Sequence, residues 1–360
     1  MKDTGHKFPY RWNLADGYPA KGIEYHGSKV FGTFICGGGS TMGYKMAGFD
    51  HLGGVEIDPK VAAVYKENHG PKHLYVEDIR AFVKREDLPP ELFELDLLDG
   101  SPPCSSFSMA GNREKDWSKK KVFREGQSEQ VLDDLFFEYI KLAKRLQPKV
   151  VIAENVKGLI QGNAKAYVRE ITDKFRDAGY VVQIFLLNAA SMGVPQKRER
   201  VFFVCQRNDM GFERLRLGFG EKAIPFREII SVENGSPLKG KMLDLWNKKN
   251  IGEKDLGKSC LRSTGVANYF GSKILLSNEV PLSVIASGSS PLIHHDKPFE
   301  ISAQECALIG SYPTDYSFKD METKYLIGMS VPPVMTAQIA HQIWLQWLSK
   351  KSELTTEHLR

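Results

Sequence analysis

The sequence predicts an α/β fold: a doubly wound, mostly parallel seven-stranded sheet, followed by a second, smaller and irregular domain. Three observations point there. From about Lys29 to Val204, short apolar runs alternate with stretches of helical period, the pattern of a parallel sheet covered on both faces. The last two apolar runs are joined through Gly193-Val194-Pro195 with no helix between, which closes the sheet with an antiparallel hairpin. After about Gln206 the alternation stops, and the chain turns rich in Lys, Asn, Gly and Ser as far as Asp296.

In chain order, strands are expected at Val30 to Ile35, Leu52 to Ile57, Leu74 to Val76, Leu95 to Asp99, Val150 to Ala153, Val181 to Leu187 and Val201 to Cys205. Helices are expected at Met42 to Gly48, Lys60 to Asn68, Val131 to Leu146 and Ala166 to Ala178. The stretch from Gln206 to Asp296 reads as mixed strands and loops, and periodicity returns with a helix from Val334 to Leu348 after Pro332-Pro333. The domains are therefore expected at 1–28 (an N-terminal extension), 29–205, 206–296, and 297–360 (a return to the first domain).

Composition narrows the class. A chain of 360 residues, with 42% hydrophobic and 26% charged residues, can bury a large core and matches ordinary globular proteins. The net charge of +5 permits a polyanionic partner without requiring one. The five cysteines, Cys36, Cys104, Cys205, Cys260 and Cys306, are scattered and odd in number, which argues against a disulfide scaffold or a zinc site and suits a reducing compartment. The N-terminus lacks the basic start and apolar stretch of a secretory signal, and no apolar segment reaches the roughly 18 residues of a membrane span. An intracellular, metal-free protein is the expectation.

In parallel sheets, ligands gather beyond the carboxyl ends of the strands. Phe34-Ile35-Cys36-Gly37-Gly38-Gly39 leaves the first strand, where glycines let a nucleotide-like ligand approach the backbone. Taken alone, this is equally a tight turn. Glu56 closes the second strand, where a carboxylate can accept both ribose hydroxyls, and Asp78 follows the third, placed to meet an adenine amino group. Pro102-Pro103-Cys104 follows the fourth strand with the polar stretch Ser105-Ser106-Phe107-Ser108 behind it, so its thiol reads as exposed at a strand end rather than packed. Glu154 ends a buried apolar run, where a carboxyl is costly unless paired or protonated, and so reads as functional rather than as a helix cap. Gln196, Arg198 and Arg200 alternate, which on an extended strand places all three on one face. Between Gly111 and Gln130, six basic residues face four acidic ones, read as a loop that closes over DNA.

With these motifs in this order from about Val30 to Ala340, the chain resembles the cytosine-5 DNA methyltransferases of bacteria and phages. The resemblance rests on the glycine turn, Glu56-Ile57-Asp58, Asp78-Ile79, Pro102-Pro103-Cys104-Ser105-Ser106-Phe107-Ser108, Glu154-Asn155-Val156 and Gln196-Lys197-Arg198-Glu199-Arg200. It continues through Ser302-Ala303-Gln304-Glu305-Cys306, Tyr312-Pro313 and Gly328-Met329-Ser330-Val331-Pro332-Pro333. It implies an S-adenosylmethionine-dependent, Rossmann-like catalytic domain, with 206–296 as the target-recognition domain. It implies attack by Cys104 on carbon 6 of a flipped cytosine in duplex DNA, with Glu154 on the ring nitrogen, Arg200 on the ring carbonyl and Arg198 bracing the closed loop. Contacts to S-adenosylmethionine fall to Phe34, Gly37, Gly38, Gly39, Glu56, Ile57, Asp78, Ile79, Ser101, Pro103, Leu135 and Ser330, with S-adenosylhomocysteine as the product. The family often has Asn where Met329 stands. The implied protein is a monomer, in the cytoplasm of a bacterial cell or a phage-infected host, serving DNA methylation in a restriction-modification setting. A tRNA cytosine methyltransferase shares the catalytic motifs, and the substantial irregular lobe favours duplex DNA over it. A nicotinamide-dependent oxidoreductase accounts for the glycine turn and Glu56 but not for Pro-Pro-Cys with Glu-Asn-Val.

Overall fold

The structure, a computed structural model, describes residues 5–103, 134–161, 165–286 and 290–350. The chain divides into two compact units. One holds Tyr18–Asn188, Glu199–Gly218 and Thr336–Arg360; the other holds Met1–Gly17, Ala189–Arg198 and Phe219–Met335.

The first unit is built on β1 (Lys29–Thr33), α1 (Gly39–Met46), β2 (Asp50–Glu56), α2 (Pro59–His69), β3 (His73–Val76), α3 (Ile79–Phe82), β4 (Leu97–Gly100), α4 (Leu135–Leu146), β5 (Val150–Val156), α5 (Lys165–Asp177), β6 (Tyr180–Asn188) and β7 (Glu199–Arg207). The strands form one seven-stranded sheet in the order β3-β2-β1-β4-β5-β7-β6. Neighbours from β3 to β5 run parallel, and β7 inserts antiparallel between β5 and β6, pairing Tyr180 with Arg207 and Asn188 with Glu199. The expected closing hairpin is this β6–β7 pair.

Central strands read as continuous apolar runs because both faces are covered. Leu97, Leu98, Val150, Val151, Val201 and Phe203 are all fully buried, and α4 lays Phe136, Tyr139, Leu142 and Ala143 on the face that carries Leu98, Val151, Val201 and Phe203. Each large side chain so buried contributes about 1.5–3 kcal/mol from apolar area alone. The Tyr139 hydroxyl meets the carbonyls of Leu98 (3.0 Å) and Ile152 (2.7 Å), which fixes α4 across β4 and β5.

Helix boundaries follow local chemistry. Asp58 caps α2 by accepting from the N–H groups of Lys60 and Val61, with Pro59 in the first turn, and Gly70 in the left-handed region ends it. α1 starts three residues before the expected Met42, because Gly38 at its cap and Gly39 carry no side-chain signal.

The second unit holds α6 (Gly240–Asn247), α7 (Gly257–Thr264), β8 (Lys273–Leu275), β9 (Leu292–His294), α8 (Ala303–Ile309) and α9 (Thr323–Met329), so the stretch 206–296, expected as mixed strands and loops, is partly helical through α6 and α7. β8 and β9 pair in parallel, and Leu238, Leu245, Leu256, Cys260, Ile274 and Ile293 make a small core. The segment expected as an N-terminal extension contributes to this unit: Trp12 Nε1 donates to the Ser311 carbonyl (3.0 Å), and Asp315 accepts from the N–H groups of Leu14 and Ala15. The last helix, α10 (Pro333–Ile343), continues as a wider turn over Trp344–Leu348. No described helix is long and apolar enough to cross a membrane.

Candidate active site

The turn after β1 is conformationally demanding. Phe34 (φ 54°) and Cys36 (φ 47°) lie in the left-handed region, where a non-glycine residue costs of order 1–3 kcal/mol. Gly38 (φ 77°) follows, with its N–H donating to the Ile35 carbonyl at 2.8 Å. Gly38 is required twice over, since a Cβ there would come within 2.2 Å of His69 Nε2. His69, the last residue of α2, lies 3.3 Å from the Gly37 carbonyl through that same nitrogen. Burial and the neighbouring Lys45 hold the His69 ring neutral, pushing its pKa down to about 3, so Nε2 can donate its hydrogen to Gly37 at any working pH. The turn is thus a cradle of backbone supported from beneath.

Glu56 completes it. One carboxylate oxygen accepts from the Cys36 N–H (3.0 Å), the other from the Asp58 N–H (2.9 Å), joining the end of β2 to the glycine turn. Burial pushes its pKa up to about 6, against the pull of those backbone donors. A carboxylate has about four acceptor sites, and with a further backbone bond from Ile57 acceptor capacity remains for a ribose hydroxyl. The glycine cradle and this carboxylate fit an adenosyl group.

Asp78 is more committed than its sequence position suggested. It caps α3, accepting from the Arg80 N–H at 2.8 Å, and pairs with the Arg80 guanidinium at 3.0 Å, which also reaches Asp134. Ile79 turns its side chain into the core (4% exposed), as does Leu135 (2%), so only the backbone of Ile79 is left for a ligand. Ile57, Ser101 and Pro103 are half-buried. Ser330 belongs to the other unit, where its hydroxyl is buried without a partner among the described residues.

The described chain breaks off at Pro103, so Cys104 and the basic loop 111–130 lie outside the described residues. What leads to Cys104 is well defined. Asn155 Nδ2 donates to the Pro102 carbonyl at 3.0 Å, and its Oδ1 accepts from the Val156 N–H at 2.8 Å. The residue beside Glu154 therefore ties the end of β5 to the Pro-Pro turn. Glu154 is 9% exposed, and its carboxylate meets Arg200 Nε at 2.9 Å. The pair is diagonal across β5 and β7, since Arg200 stands opposite Val156 and Phe202 opposite Glu154.

Gln196, Arg198 and Arg200 do not share one strand face, and that expectation is corrected. β7 begins only at Glu199, so Arg200 alone of the three lies on it. Gln196 and Arg198 sit in a non-strand segment of the other unit. Gln196, fully buried, bonds the Ile309 carbonyl and the Val284 N–H, while the Arg198 guanidinium donates to the carbonyls of Val284 (3.2 Å) and Gly328 (3.0 Å). The alternation is real but Pro195 and the chain's course into the other unit break the strand that it implies.

Sequence reasoning passed over one buried acid. Asp99 on β4 is 6% exposed and accepts from the Tyr44 hydroxyl at 3.0 Å. Burial, with a smaller push from Glu154, raises its pKa to about 6. The available signal was a carboxyl inside the apolar run Leu97-Leu98-Asp99-Gly100.

Among the described residues no cluster of three or more His, Cys, Asp or Glu could hold a metal ion. Residues 29–344 match the family model described as C-5 cytosine-specific DNA methylase. The Type II methyltransferase M.FnuDI of Fusobacterium nucleatum is 30% identical over 91% of this chain and 97% of its own length. Type II methyltransferase M1.HphI of Haemophilus parahaemolyticus is 26% identical over 86% of this chain and 85% of its own. Among solved structures, a variant of Spodoptera frugiperda DNMT2 superposes with a TM-score of 0.62 at 17% identity, covering 88% of this chain and 99% of that one.

Proposed function

Since the chain belongs to the C-5 cytosine-specific DNA methylase family, we propose that the carboxyl end of its sheet is the site at which carbon 5 of cytosine is methylated, with Cys104 as nucleophile. The reaction itself is that of the family: transfer of a methyl group from S-adenosylmethionine to cytosine in DNA. The observation that carries the assignment of residues is the Asn155–Pro102 hydrogen bond. It anchors Pro102, two residues before Cys104 in sequence, to the residue next to Glu154, which supports assigning nucleophile and carboxyl to the same sheet end.

The roles follow from chemistry. The Cys104 thiolate adds to carbon 6, and the displaced electron pair makes carbon 5 nucleophilic while the ring nitrogen takes up a proton held at Glu154. Arg200, already oriented by Glu154, offers its remaining N–H groups to the ring carbonyl. After carbon 5 has taken the methyl group, loss of its hydrogen as a proton expels the thiolate, and the ring nitrogen returns its own proton to Glu154, which restores the neutral ring. The attack runs perpendicular to a ring face that stacking conceals, so the base must leave the duplex. S-adenosylmethionine, when bound, supplies an electrophilic methyl group on a positively charged sulfur. Phe34, Gly37, Gly38, Gly39, Glu56, Ile57, Asp78, the Ile79 backbone, Ser101, Pro103 and Leu135 would hold it. Asp78 would have to share its carboxylate with Arg80.

The unit containing Phe219–Met335 is the proposed reader of the target sequence, in place of 206–296, since 206–218 belong to the sheet-containing unit. A monomer acting in the cytoplasm of a bacterial cell or phage-infected host completes the proposal. A duplex carrying 5-fluorocytosine at the target site tests it, because fluorine cannot leave as a cation and the adduct is trapped. The expected result is a donor-dependent covalent complex through Cys104, absent in Cys104→Ser although that variant still binds S-adenosylmethionine. Full trapping by Cys104→Ser overturns the assignment.

A further inference from the structure

We propose that Asp99 is a positioning residue for methyl transfer, clamping both ends of the glycine turn to the strand that leads into Cys104. The inference rests on the reading of that turn as the methyl-donor cradle. Asp99 lies near the end of β4, three residues before Pro102. Its backbone carbonyl accepts from the Thr33 hydroxyl at 3.2 Å, and Thr33 is the last residue before the turn. Its side chain accepts from the Tyr44 hydroxyl at 3.0 Å and from the Ser40 hydroxyl, both on the helix that follows the turn. Ser40 and Tyr44 are four residues apart and so share one face of α1. One residue therefore holds the entry to the turn, the exit from it, and the approach to the nucleophile.

The surroundings argue against a merely structural part. The groups that face Asp99 are Ser40 and Tyr44 of α1, Tyr65 of α2, Tyr139 of α4 and Glu154 of β5. None is a cation, and among the described residues no salt bridge reaches it. A buried carboxyl whose only charged neighbour is another carboxyl lowers stability, and an apolar residue of similar size would pack without that burden. Its hydroxyl partners, by contrast, are the ones that a carboxylate orients best, since it can only accept. Because Glu154 shares its sheet face, the same residue also lies within electrostatic reach of the group assigned to the cytosine ring.

The test compares Asp99→Asn, Asp99→Leu, Tyr44→Phe and Gly38→Ala with the wild-type protein. Three quantities are read: equilibrium binding of S-adenosylmethionine without DNA, steady-state kcat and KM for the donor, and the rate of covalent capture of a 5-fluorocytosine duplex at saturating donor. Tyr44→Phe should weaken donor binding and raise donor KM by about three- to tenfold, the scale of one hydrogen bond. Asp99→Leu should exceed that and also slow capture at saturating donor. Asp99→Asn, which still accepts from Tyr44, should recover to within about threefold of wild type. A residue that only supported the fold would lower thermal stability and leave KM and the capture rate alone. Wild-type donor affinity and capture in folded Asp99→Leu overturn the proposal, as does wild-type donor affinity in Tyr44→Phe, which decides the matter if Asp99→Leu does not fold. Gly38→Ala separates the two levels: if it keeps full donor affinity, the cradle reading falls and this proposal with it. If it loses affinity while Tyr44→Phe and Asp99→Leu do not, only the role of Asp99 falls.

Discussion

Three buried carboxyls at the sheet's carboxyl ends divide the work by their partners. Glu56 has backbone N–H donors, Glu154 has Arg200, and Asp99 has two hydroxyls and the Gly100 backbone but, among the described residues, no cation. In the proposed mechanism, replacing Glu154 by Gln takes away the carboxyl that serves the ring nitrogen and loosens Arg200 while preserving shape, so turnover should fall at least about a hundredfold with donor affinity unchanged. Single-turnover methylation of a duplex substrate checks this, and a loss smaller than tenfold would remove Glu154 from proton handling. Asp99 gives a pH prediction with a definite sign. Its folded pKa, about 6, lies above the 3.8 of an ordinary aspartate, so between those pH values the folded chain keeps a proton that the unfolded chain has lost. Stability contributed at this position therefore falls as pH rises from 4 to 7. Asp99→Asn cannot titrate, and its stability relative to wild type should improve by about 2–3 kcal/mol over that range. Urea unfolding at both ends of the window measures the difference, and a pH-independent difference would place the carboxyl in water. Glu154 was legible in sequence because an apolar run led straight into it and a chemical partner set was at hand. Asp99 was not, because one acid near a strand end looks like the strand's polar boundary until Tyr44 is seen above it.

At the level of elements, period and composition located the seven strands, since a two-sided burial demand writes itself into continuous apolar runs such as Val150-Val151-Ile152-Ala153. What escaped were elements whose cause is tertiary. α6 and α7 are eight residues each, in a stretch rich in Lys, Gly and Ser, and they hold because Leu245, Leu256 and Cys260 close a small core with Ile274 and Ile293. The alternation at Gln196, Arg198 and Arg200 implies a strand because Pro195 is the one local sign against it, and the chain's course out of the sheet before Glu199 is set by tertiary contacts. Register depends on a further hidden feature. The β1–β2 ladder slips between Val30 and Phe31, and Gly53 takes φ 132° with its missing Cβ only 1.8 Å from the His73 carbonyl oxygen on β3. Gly53→Ala must both strain the backbone and push β3 away, a loss of about 3 kcal/mol or more. Since β2 ends at Glu56, donor binding should weaken with it. Chemical denaturation together with donor titration tests this, and an unperturbed variant would mean that the slip is not obligatory. In the other unit, His294 and Glu305 form a fully buried pair at 2.9 Å, with Glu305 also accepting from the N–H groups of Ser231 and Ser302. Glu305→Ala leaves those donors and the imidazole unpaired and should destabilise by about 3–5 kcal/mol, whereas Glu305→Gln retains the acceptor and should lose less. Equal losses in the two variants would assign the effect to packing rather than to polar pairing.

For the whole molecule, composition marked where the second unit begins but not what it gathers. It draws in the first seventeen residues and the segment Ala189–Arg198, because contacts such as Trp12 with Ser311 and Gln196 with Ile309 are visible only in the fold. Charge shows the same difference between sum and place. Residues 206–296 carry thirteen basic and ten acidic residues. Arg207, Lys241, Lys248, Lys254, Arg262 and Lys273 pair with carboxylates within that stretch, so much of its basicity is already neutralised. Binding to DNA should accordingly draw on the six basic residues of 111–130 together with a limited set from the recognition unit, and about four to six neutralised phosphates is a fair total. Each contributes about −0.9 to the slope of log affinity against log salt, so raising salt from 50 to 200 mM should weaken DNA binding by about a hundred- to a thousandfold. Donor affinity, on the proposed reading, rests on a backbone cradle and the buried Glu56, which salt screens little, and should change by less than about twofold over the same range. Replacing Lys119, Lys120 and Lys121 together by Gln should lower the DNA slope by about three while leaving the donor curve where it was. A DNA affinity indifferent to salt would contradict phosphate recognition by this chain, and a slope unchanged in the triple variant would remove the 111–130 loop from the interface.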